Sequence, residues 1–347
     1  MKNFIPKAHG RYWMACLIAV TGGSFLFNPA ICQPRTPYPP EGKMVDGGGH
    51  LIHIHVMGKG GPAVIMENGS GDFSFVWSLV QPEVSKFTTA VTYDRAGFAW
   101  SEPGPYPRSA RQINFELHTA LKKAGIKGPF ILVGQSFGGF LVRDYAHDYP
   151  NEVIGMVLVD ALNEDSKIII NNQPMRIRDW ATGRPYPEPR VIHNEMADKS
   201  QAENSETITY DSTLEPPLDR LPEHIRNLQI WAQNQPQFRV AVDSEMTWSP
   251  EDVALLYSNK GKPGFMLGDM PLIVMTRGDG GYEGRPDSAA LESERMKQQD
   301  ELAHLSTNGK LIIDRNSGHN IHLEDPQAVI EAIHEVTEAI RNHSRVR

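Results

Sequence analysis

The stretch Phe130-Ile131-Leu132-Val133-Gly134-Gln135-Ser136-Phe137-Gly138-Gly139 decides the fold. An apolar, strand-like run ends in the pattern G-x-S-x-G, and a helix-forming segment follows it as far as Tyr149. A serine on such a sharp turn has a strained backbone, and small residues two positions before and after it avoid a clash. The turn raises the serine oxygen above the sheet edge, where the N–H of Phe137 at the helix start faces a developing negative charge. The pattern predicts Ser136 as a nucleophile and Phe137 as an oxyanion donor, and the alternative is a structural turn without chemistry.

A serine hydroxyl is a weak nucleophile unless a base removes its proton and an acid orients that base. His319 follows the apolar run at 311–313 and is predicted to be the base. Asp279 follows the run at 272–275 and is the preferred acid, because the order serine, acid, histidine matches a known triad order. Asp160, at the end of the run at 154–159, is the alternative acid. Either carboxylate could instead be a solvated loop residue or a helix cap.

Short apolar runs alternate with amphipathic segments from Lys43 onwards. Continuous β-branched runs suit parallel strands that are covered on both faces, and alternation with helices predicts an open, mainly parallel sheet of α/β class. The predicted strands are 51–56, 63–66, 89–93, 130–133, 154–159, 272–275 and 311–313. The predicted helices that flank them are 109–124, 137–149, 288–305 and 326–341.

One long segment, 163–268, interrupts this alternation. It contains no clear strand and is rich in proline, asparagine, tryptophan and charge, with helix candidates at 222–233 and from Ser249-Pro250. We predict a helical lid inserted into an α/β core formed by 43–162 and 269–347. Residues 33–42 are predicted to be a proline-rich linker before that core.

The first 32 residues resemble a targeting segment. Three basic residues precede a mostly apolar run at 12–27, and the small residues Ala30 and Cys32 precede a candidate cleavage point. This order is typical of a secretory signal peptide, so we expect an exported protein, periplasmic or secreted. An uncleaved N-terminal membrane anchor and a buried N-terminal helix are the alternatives.

Composition excludes several classes of function. The chain has 347 residues with 40% hydrophobic and 22% charged residues, which excludes a disordered chain and a multi-span membrane protein. A formal net charge of −8 argues against a nucleic-acid partner, which needs a basic face. Both cysteines lie in the first 32 residues, so the body of the chain has no cysteine-based metal site. His53 and His55 share a strand face but lack a partner at ligand spacing, so no metal is expected.

Three motifs in the right order make the chain from about Lys43 to Arg341 similar to the α/β-hydrolase superfamily. They are Y-D-R-A-G-F-A-W-S at 93–101, G-Q-S-F-G-G at 134–139, and G-H-N-I-H-L-E-D-P at 318–326. The resemblance implies an α/β-hydrolase fold, with a twisted, mainly parallel sheet flanked by helices. The chain departs from the family after the third strand, where Glu67-Asn68-Gly69-Ser70-Gly71 replaces the usual His-Gly pair. By position, the N–H of Ser70 becomes the second oxyanion donor beside Phe137.

The residues and the resemblance together predict a serine hydrolase that cleaves a small-molecule carboxylic ester, with amides less favoured. Ser136, His319 and an aspartate would act through an acyl-enzyme, and no cofactor or metal is required. An acyltransferase on the same triad and a ligand-binding protein on a hydrolase scaffold are the alternatives. The sequence does not specify an oligomeric state.

Overall fold

The strands of the chain form one large sheet and one separate hairpin. The computed structural model describes residues 38–192, 214–262, 264–278 and 280–347, so the predicted leader and most of the linker lie outside it. In chain order, the strands are β1 (Lys43–Asp46), β2 (Leu51–Met57), β3 (Val64–Glu67), β4 (Ala90–Tyr93), β5 (Phe130–Gln135), β6 (Val153–Val159), β7 (Lys167–Ile170), β8 (Gln173–Arg176), β9 (Leu272–Arg277) and β10 (Gly309–Asp314). The large sheet has the order β1-β2-β4-β3-β5-β6-β9-β10, and β7 pairs with β8.

The sheet is mainly parallel. Strands β4, β3, β5, β6, β9 and β10 run parallel, whereas β1 and β2 join the sheet edge by antiparallel pairing. All residues of β3, β4 and β5 are buried, which explains their continuous apolar runs. The predicted α/β-hydrolase fold, with a mainly parallel sheet between helices, is confirmed.

Helices cover both faces of this sheet. In chain order they are α1 (Gln81–Val84), α2 (Ala110–Lys123), α3 (Phe137–Asp148), α4 (Glu223–Gln233), α5 (Pro236–Asn259), α6 (Ser288–Ala303), α7 (Ile321–Glu324) and α8 (Pro326–Arg341). Successive side chains of a strand point to opposite faces. Leu132 therefore joins one core cluster with Leu117 of α2, whereas Val133 joins the other with Ile333 of α8.

The predicted start of the last helix is confirmed. The Asp325 side chain accepts a hydrogen bond from the backbone N–H of Ala328 at 3.1 Å, and Pro326 occupies the first helical turn. A carboxylate cap satisfies an N–H that lacks a partner within the helix, and it also complements the helix dipole. The cap fixes the start of α8, directly after the short helix α7 that follows His319.

The segment between β6 and β9 differs from its prediction in two places. It contains the β7–β8 hairpin, although the sequence showed no clear strand there. The helix predicted to begin at Ser249-Pro250 begins instead at Pro236 and passes through Pro250. Proline removes only one helical hydrogen bond, and buried Ala241 before it and Val253 after it anchor the helix on both sides. The lid role of this segment stays a prediction.

Candidate active site

Ser136 occupies the turn between β5 and α3. Its φ of 54° lies in the left-handed region, where a non-glycine residue is strained. The neighbouring glycines have no room for a side chain: a Cβ at Gly138 would lie 2.5 Å from the carbonyl oxygen of Asn68, and one at Gly139 would lie 2.3 Å from Cβ of Ala161. These close approaches explain the glycines of the pattern and hold the serine at the carboxyl end of the sheet.

His319 reaches Ser136 from the loop between β10 and α7. Its Nε2 lies 2.9 Å from Oγ of Ser136, and its Nδ1 lies 2.6 Å from Oδ2 of Asp160. A carboxylate only accepts hydrogen bonds, so Nδ1 carries the proton and Nε2 is free to accept from the serine hydroxyl. The side chain of His319 is 47% exposed, whereas that of Asp160 is 2% exposed. The arrangement can transfer a proton from Ser136 to the imidazole.

The acid next to His319 is Asp160, the alternative of the two candidates. The preferred candidate, Asp279, lies outside the described residues, and the Nδ1 position expected for it is taken by Asp160. The strands that precede the two aspartates are parallel neighbours, with Val159 opposite Met275. Their carboxyl ends therefore lie at the same sheet edge, and chain order alone could not distinguish between the two acids.

Positive charge surrounds the buried carboxylate of Asp160. Oδ1 accepts from Oγ1 of Thr276 at 2.9 Å and from the backbone N–H of Arg277 at 3.2 Å. The Arg277 guanidinium donates to Oδ2, and Nη1 of Arg295 lies 3.6 Å from Oδ1. Burial alone would raise the pKa of Asp160, but the hydrogen bond with His319 and the charges of Arg277 and Arg295 lower it to about 2. Neither arginine was expected at the site from the sequence, although Arg277 ends β9, the strand beside the one that Asp160 follows.

The lowered pKa of Asp160 predicts an acid-dependent loss of stability. A carboxyl whose pKa falls from 3.8 to about 2 on folding stabilises the folded state above the unfolded value, and this contribution is lost as pH falls towards 2. The contribution is roughly 2 kcal/mol at neutral pH. We expect urea denaturation of wild type to show this loss between about pH 5 and 2, and Asp160→Asn to lack it. An equal pH dependence in both proteins would contradict the assignment.

The loop after β3 lies against the nucleophile turn. A Cβ at Gly69 would lie 2.2 Å from Oε1 of Gln135, so this loop packs directly beside the residue that precedes Ser136. Ser70 follows in the same loop and is exposed, and Phe137 is the first residue of α3. Backbone N–H groups in the first turn of a helix have no helical acceptor. The geometry fits Ser70 and Phe137 as oxyanion donors, and their role stays a prediction.

His53, one of the two histidines on the same face of β2, is part of the scaffold. Nδ1 of His53 lies 2.7 Å from Oδ2 of Asp94, and Nε2 lies 2.6 Å from the backbone oxygen of Glu41. Both ring nitrogens therefore have protein partners. Within the ranges that the structure describes, no group of three or more histidine, cysteine or acidic side chains could hold a metal ion.

His322, three residues after His319, is buried. Its side chain is 1% exposed, and its ring lies against Trp77 with 4.8 Å between the ring centroids and 40° between the ring planes. Burial and the charge of His319 lower its pKa to about 3, so the ring is neutral. Trp77 is also buried and belongs to the core cluster on the α8 side of the sheet.

A cleft of about 460 Å³ opens beside Ser136 and His319. Its walls come from the ends of β6 and β9, from the start of the β7–β8 hairpin and from α6. The lining side chains that can contact a ligand include Leu162, Ile168, Arg277, Tyr282 and Gln299. Most of the lining side chains are polar or charged, Lys167, Glu283 and Arg295 among them, and Leu162 and Ile168 add apolar surface. In the described ranges, no helix has the length and apolar character of a membrane span.

The chain matches a family model described as the alpha/beta hydrolase family over residues 64–332. The uncharacterized protein YqjL of Bacillus subtilis (strain 168) is 25% identical over 282 residues, which cover 81% of this chain and 86% of YqjL. A protein described as a probable transporter from Hormonema carpetanum is 33% identical over 129 residues, but the match spans only 35% of this chain and 18% of that protein.

Solved structures share the fold at low sequence identity. An esterase from Thermogutta terrifontis superposes with a TM-score of 0.56 at 17% identity, over 84% of this chain and 94% of the esterase. The meta-cleavage product hydrolase CumD from Pseudomonas fluorescens IP01 gives 0.58 at 18% identity, over 86% and 98%. The epoxide hydrolase CorEH gives 0.57 at 17% identity, also over 86% and 98%. These likenesses concern the fold.

Proposed function

Because the chain belongs to the alpha/beta hydrolase family, we propose that it is a serine hydrolase that cleaves carboxylic esters with Ser136, His319 and Asp160. One observation carries the proposal. Nε2 of His319 lies 2.9 Å from Oγ of Ser136, and Nδ1 lies 2.6 Å from Oδ2 of Asp160. The turn between β5 and α3 holds the serine at the edge of the sheet. Serine, histidine and acid in this geometry suit acyl transfer.

In the proposed mechanism, Oγ of Ser136 attacks the ester carbonyl carbon while Nε2 of His319 takes the hydroxyl proton. The carbonyl oxygen becomes an oxyanion, which the N–H groups of Ser70 and Phe137 stabilise. The tetrahedral intermediate collapses, and His319 returns the proton to the leaving alcohol. Water then repeats the sequence on the acyl-enzyme, and the carboxylic acid leaves. Asp160 holds the imidazole in position and stabilises its charged form.

The serine nucleophile favours esters over epoxides. A serine that opened an epoxide would form an ether, which water activated by a histidine does not cleave under mild conditions. A serine that attacks an ester forms a new ester, and the same triad can hydrolyse it. The cleft of about 460 Å³ favours a small-molecule ester over a polymer.

The first test is turnover by wild type of 4-nitrophenyl esters from acetate to decanoate, followed by release of nitrophenolate. We expect turnover with at least one ester, and labelling by a fluorophosphonate at Ser136 alone, located by peptide mass spectrometry. Heat-denatured protein is the control, because labelling at Ser136 depends on the folded triad. A folded protein that is neither labelled nor active on any of these esters would contradict the proposal and favour a ligand-binding role.

A further inference from the structure

A buried guanidinium lies behind the predicted oxyanion loop. Arg95, from the Y-D-R-A-G motif, donates from Nη1 to the carbonyl oxygen of Asn68 at 3.0 Å and from Nη2 to that of Gly69 at 2.9 Å. The same side chain donates to Oε1 of Glu67 at 2.8 Å and to both carboxylate oxygens of Glu245 at 2.9 and 3.1 Å. The side chains of all three charged residues are at most 1% exposed.

These contacts determine which way the loop peptides face. In a planar trans peptide the C=O and the following N–H point in opposite directions. Since the carbonyl oxygen of Gly69 points to Arg95, the N–H of Ser70 points away from it. The position of a Cβ at Gly69 is occupied by the side chain of Gln135, the neighbour of Ser136. The guanidinium therefore fixes the peptide between Gly69 and Ser70, in a loop that packs beside the nucleophile turn.

The second carboxylate comes from the segment inserted between β6 and β9. Glu245 lies on α5, and this helix packs tightly onto the motif that carries Arg95. A Cβ at Gly97 would lie 2.7 Å from Cβ of Ala241 on the same helix. Gly97 also has a φ of 85°, so glycine is required there for two reasons. The inserted helix thus holds the motif that carries Arg95 through one ion pair and one close packing contact, and Arg95 in turn holds the oxyanion loop.

We propose that Arg95 and Glu245 are positioning residues of the oxyanion hole, through which the inserted helix α5 fixes the peptide between Gly69 and Ser70. The inference rests on the proposed function. Glu67 alone balances one positive charge, but it accepts a hydrogen bond only from Nη1 of the Arg95 guanidinium. Glu245 binds Nε and Nη2, and so holds the guanidinium plane in the orientation in which Nη1 and Nη2 meet the two carbonyl oxygens.

Loss of the contacts that Arg95 and Glu245 make should weaken stabilisation of the transition state, which lowers kcat, and should leave substrate binding, and so KM, nearly unchanged. Misplacement of catalytic groups by about 1 Å costs on the order of 100-fold. We expect Arg95→Lys to lower kcat for the best ester by about 10- to 100-fold, and Glu245→Gln by about 3- to 10-fold, with KM within about 3-fold of wild type. Lysine keeps the charge but cannot contact two carbonyl oxygens and two carboxylates at once.

A trifluoromethyl ketone matched to the best ester tests the mechanism directly. Its carbonyl carbon bonds to Oγ of Ser136, the hydroxyl proton moves to His319, and the carbonyl oxygen becomes an oxyanion. We expect its inhibition constant to rise in each variant by the same factor as kcat/KM falls, whereas that of the corresponding alcohol stays unchanged. Unfolding midpoints are measured alongside, and all assays run well below the lowest midpoint.

Arg108 and Glu116 provide a matched control pair. They form another buried ion pair, with two hydrogen bonds of 2.6 Å, and no contact of theirs with the loop at 67–71 is among those described. Arg108→Lys and Glu116→Gln should lower the unfolding midpoint yet leave kcat and the ketone inhibition constant within about 3-fold of wild type. Equal kinetic losses in both pairs would overturn the inference, because the loss of any buried ion pair would then lower kcat to the same extent.

The remaining outcomes are distinct. If wild type is active but Arg95→Lys and Glu245→Gln keep wild-type kcat and ketone inhibition, the inference is wrong and the proposed function stands. If wild type neither cleaves an ester nor forms the ketone adduct, the proposed function itself is overturned, and the inference with it.

Discussion

Replacement of Ser136 by alanine is expected to lower kcat/KM for ester hydrolysis by about 10⁴- to 10⁶-fold. Alanine removes Oγ, which lies 2.9 Å from Nε2 of His319, and it leaves the turn geometry and the neighbouring glycines in place. The variant is assayed against wild type with the best 4-nitrophenyl ester, and its folding is checked by its unfolding midpoint. Fluorophosphonate labelling should disappear together with turnover.

Two further variants make this result specific. His319→Ala should cause a loss of similar size, and the double variant should be little worse than either single one, because the two residues act as a unit. Ser258→Ala is the control, since Ser258 is exposed on α5 and bonds only to the backbone oxygen of Leu255 among the described contacts. Turnover retained by folded Ser136→Ala within 10-fold of wild type would exclude Ser136 as the nucleophile.

The fold could be predicted because its strands are buried on both faces. Burial of every residue in β3 and β5 gives short, continuous apolar runs, and such runs located every strand of the large sheet except β1 to within two residues at each end. The β7–β8 hairpin was missed for the opposite reason. Its residues are half-buried or exposed, and Pro174 lies within β8. A hairpin that covers no core leaves no such pattern in the sequence.

The candidate site was predictable where one stretch of chain defines the geometry, and unpredictable where distant segments do. The position of Ser136 is set by its own turn, and that of His319 by the loop between β10 and the short helix α7. The choice between Asp160 and Asp279 depends instead on which of two adjacent strand ends faces the imidazole. The contact of Arg95 with Glu245 joins residues that are 150 positions apart, so no local sequence pattern predicts it.

The choice of acid gives the second large expected effect. Asp160→Asn should lower kcat by about 10³- to 10⁴-fold, because the amide can neither fix the productive tautomer of His319 nor stabilise the imidazolium. Asp279→Asn is the matched control, with an expected change of less than about 3-fold. Both are assayed with the best ester at the optimum pH of wild type.

Stability must be separated from catalysis in this comparison. Asp160→Asn leaves the charges of Arg277 and Arg295 without their shared carboxylate, so we expect a lower unfolding midpoint as well. Rates are therefore divided by the concentration of folded protein, which is the total concentration multiplied by the folded fraction from the unfolding curve. If folded Asp160→Asn has nearly wild-type kcat and Asp279→Asn is inactive, Asp279 is the acid of the triad. Asp160 would then serve to neutralise the two arginines at the sheet edge, and its hydrogen bond with His319 would not be the one used in catalysis.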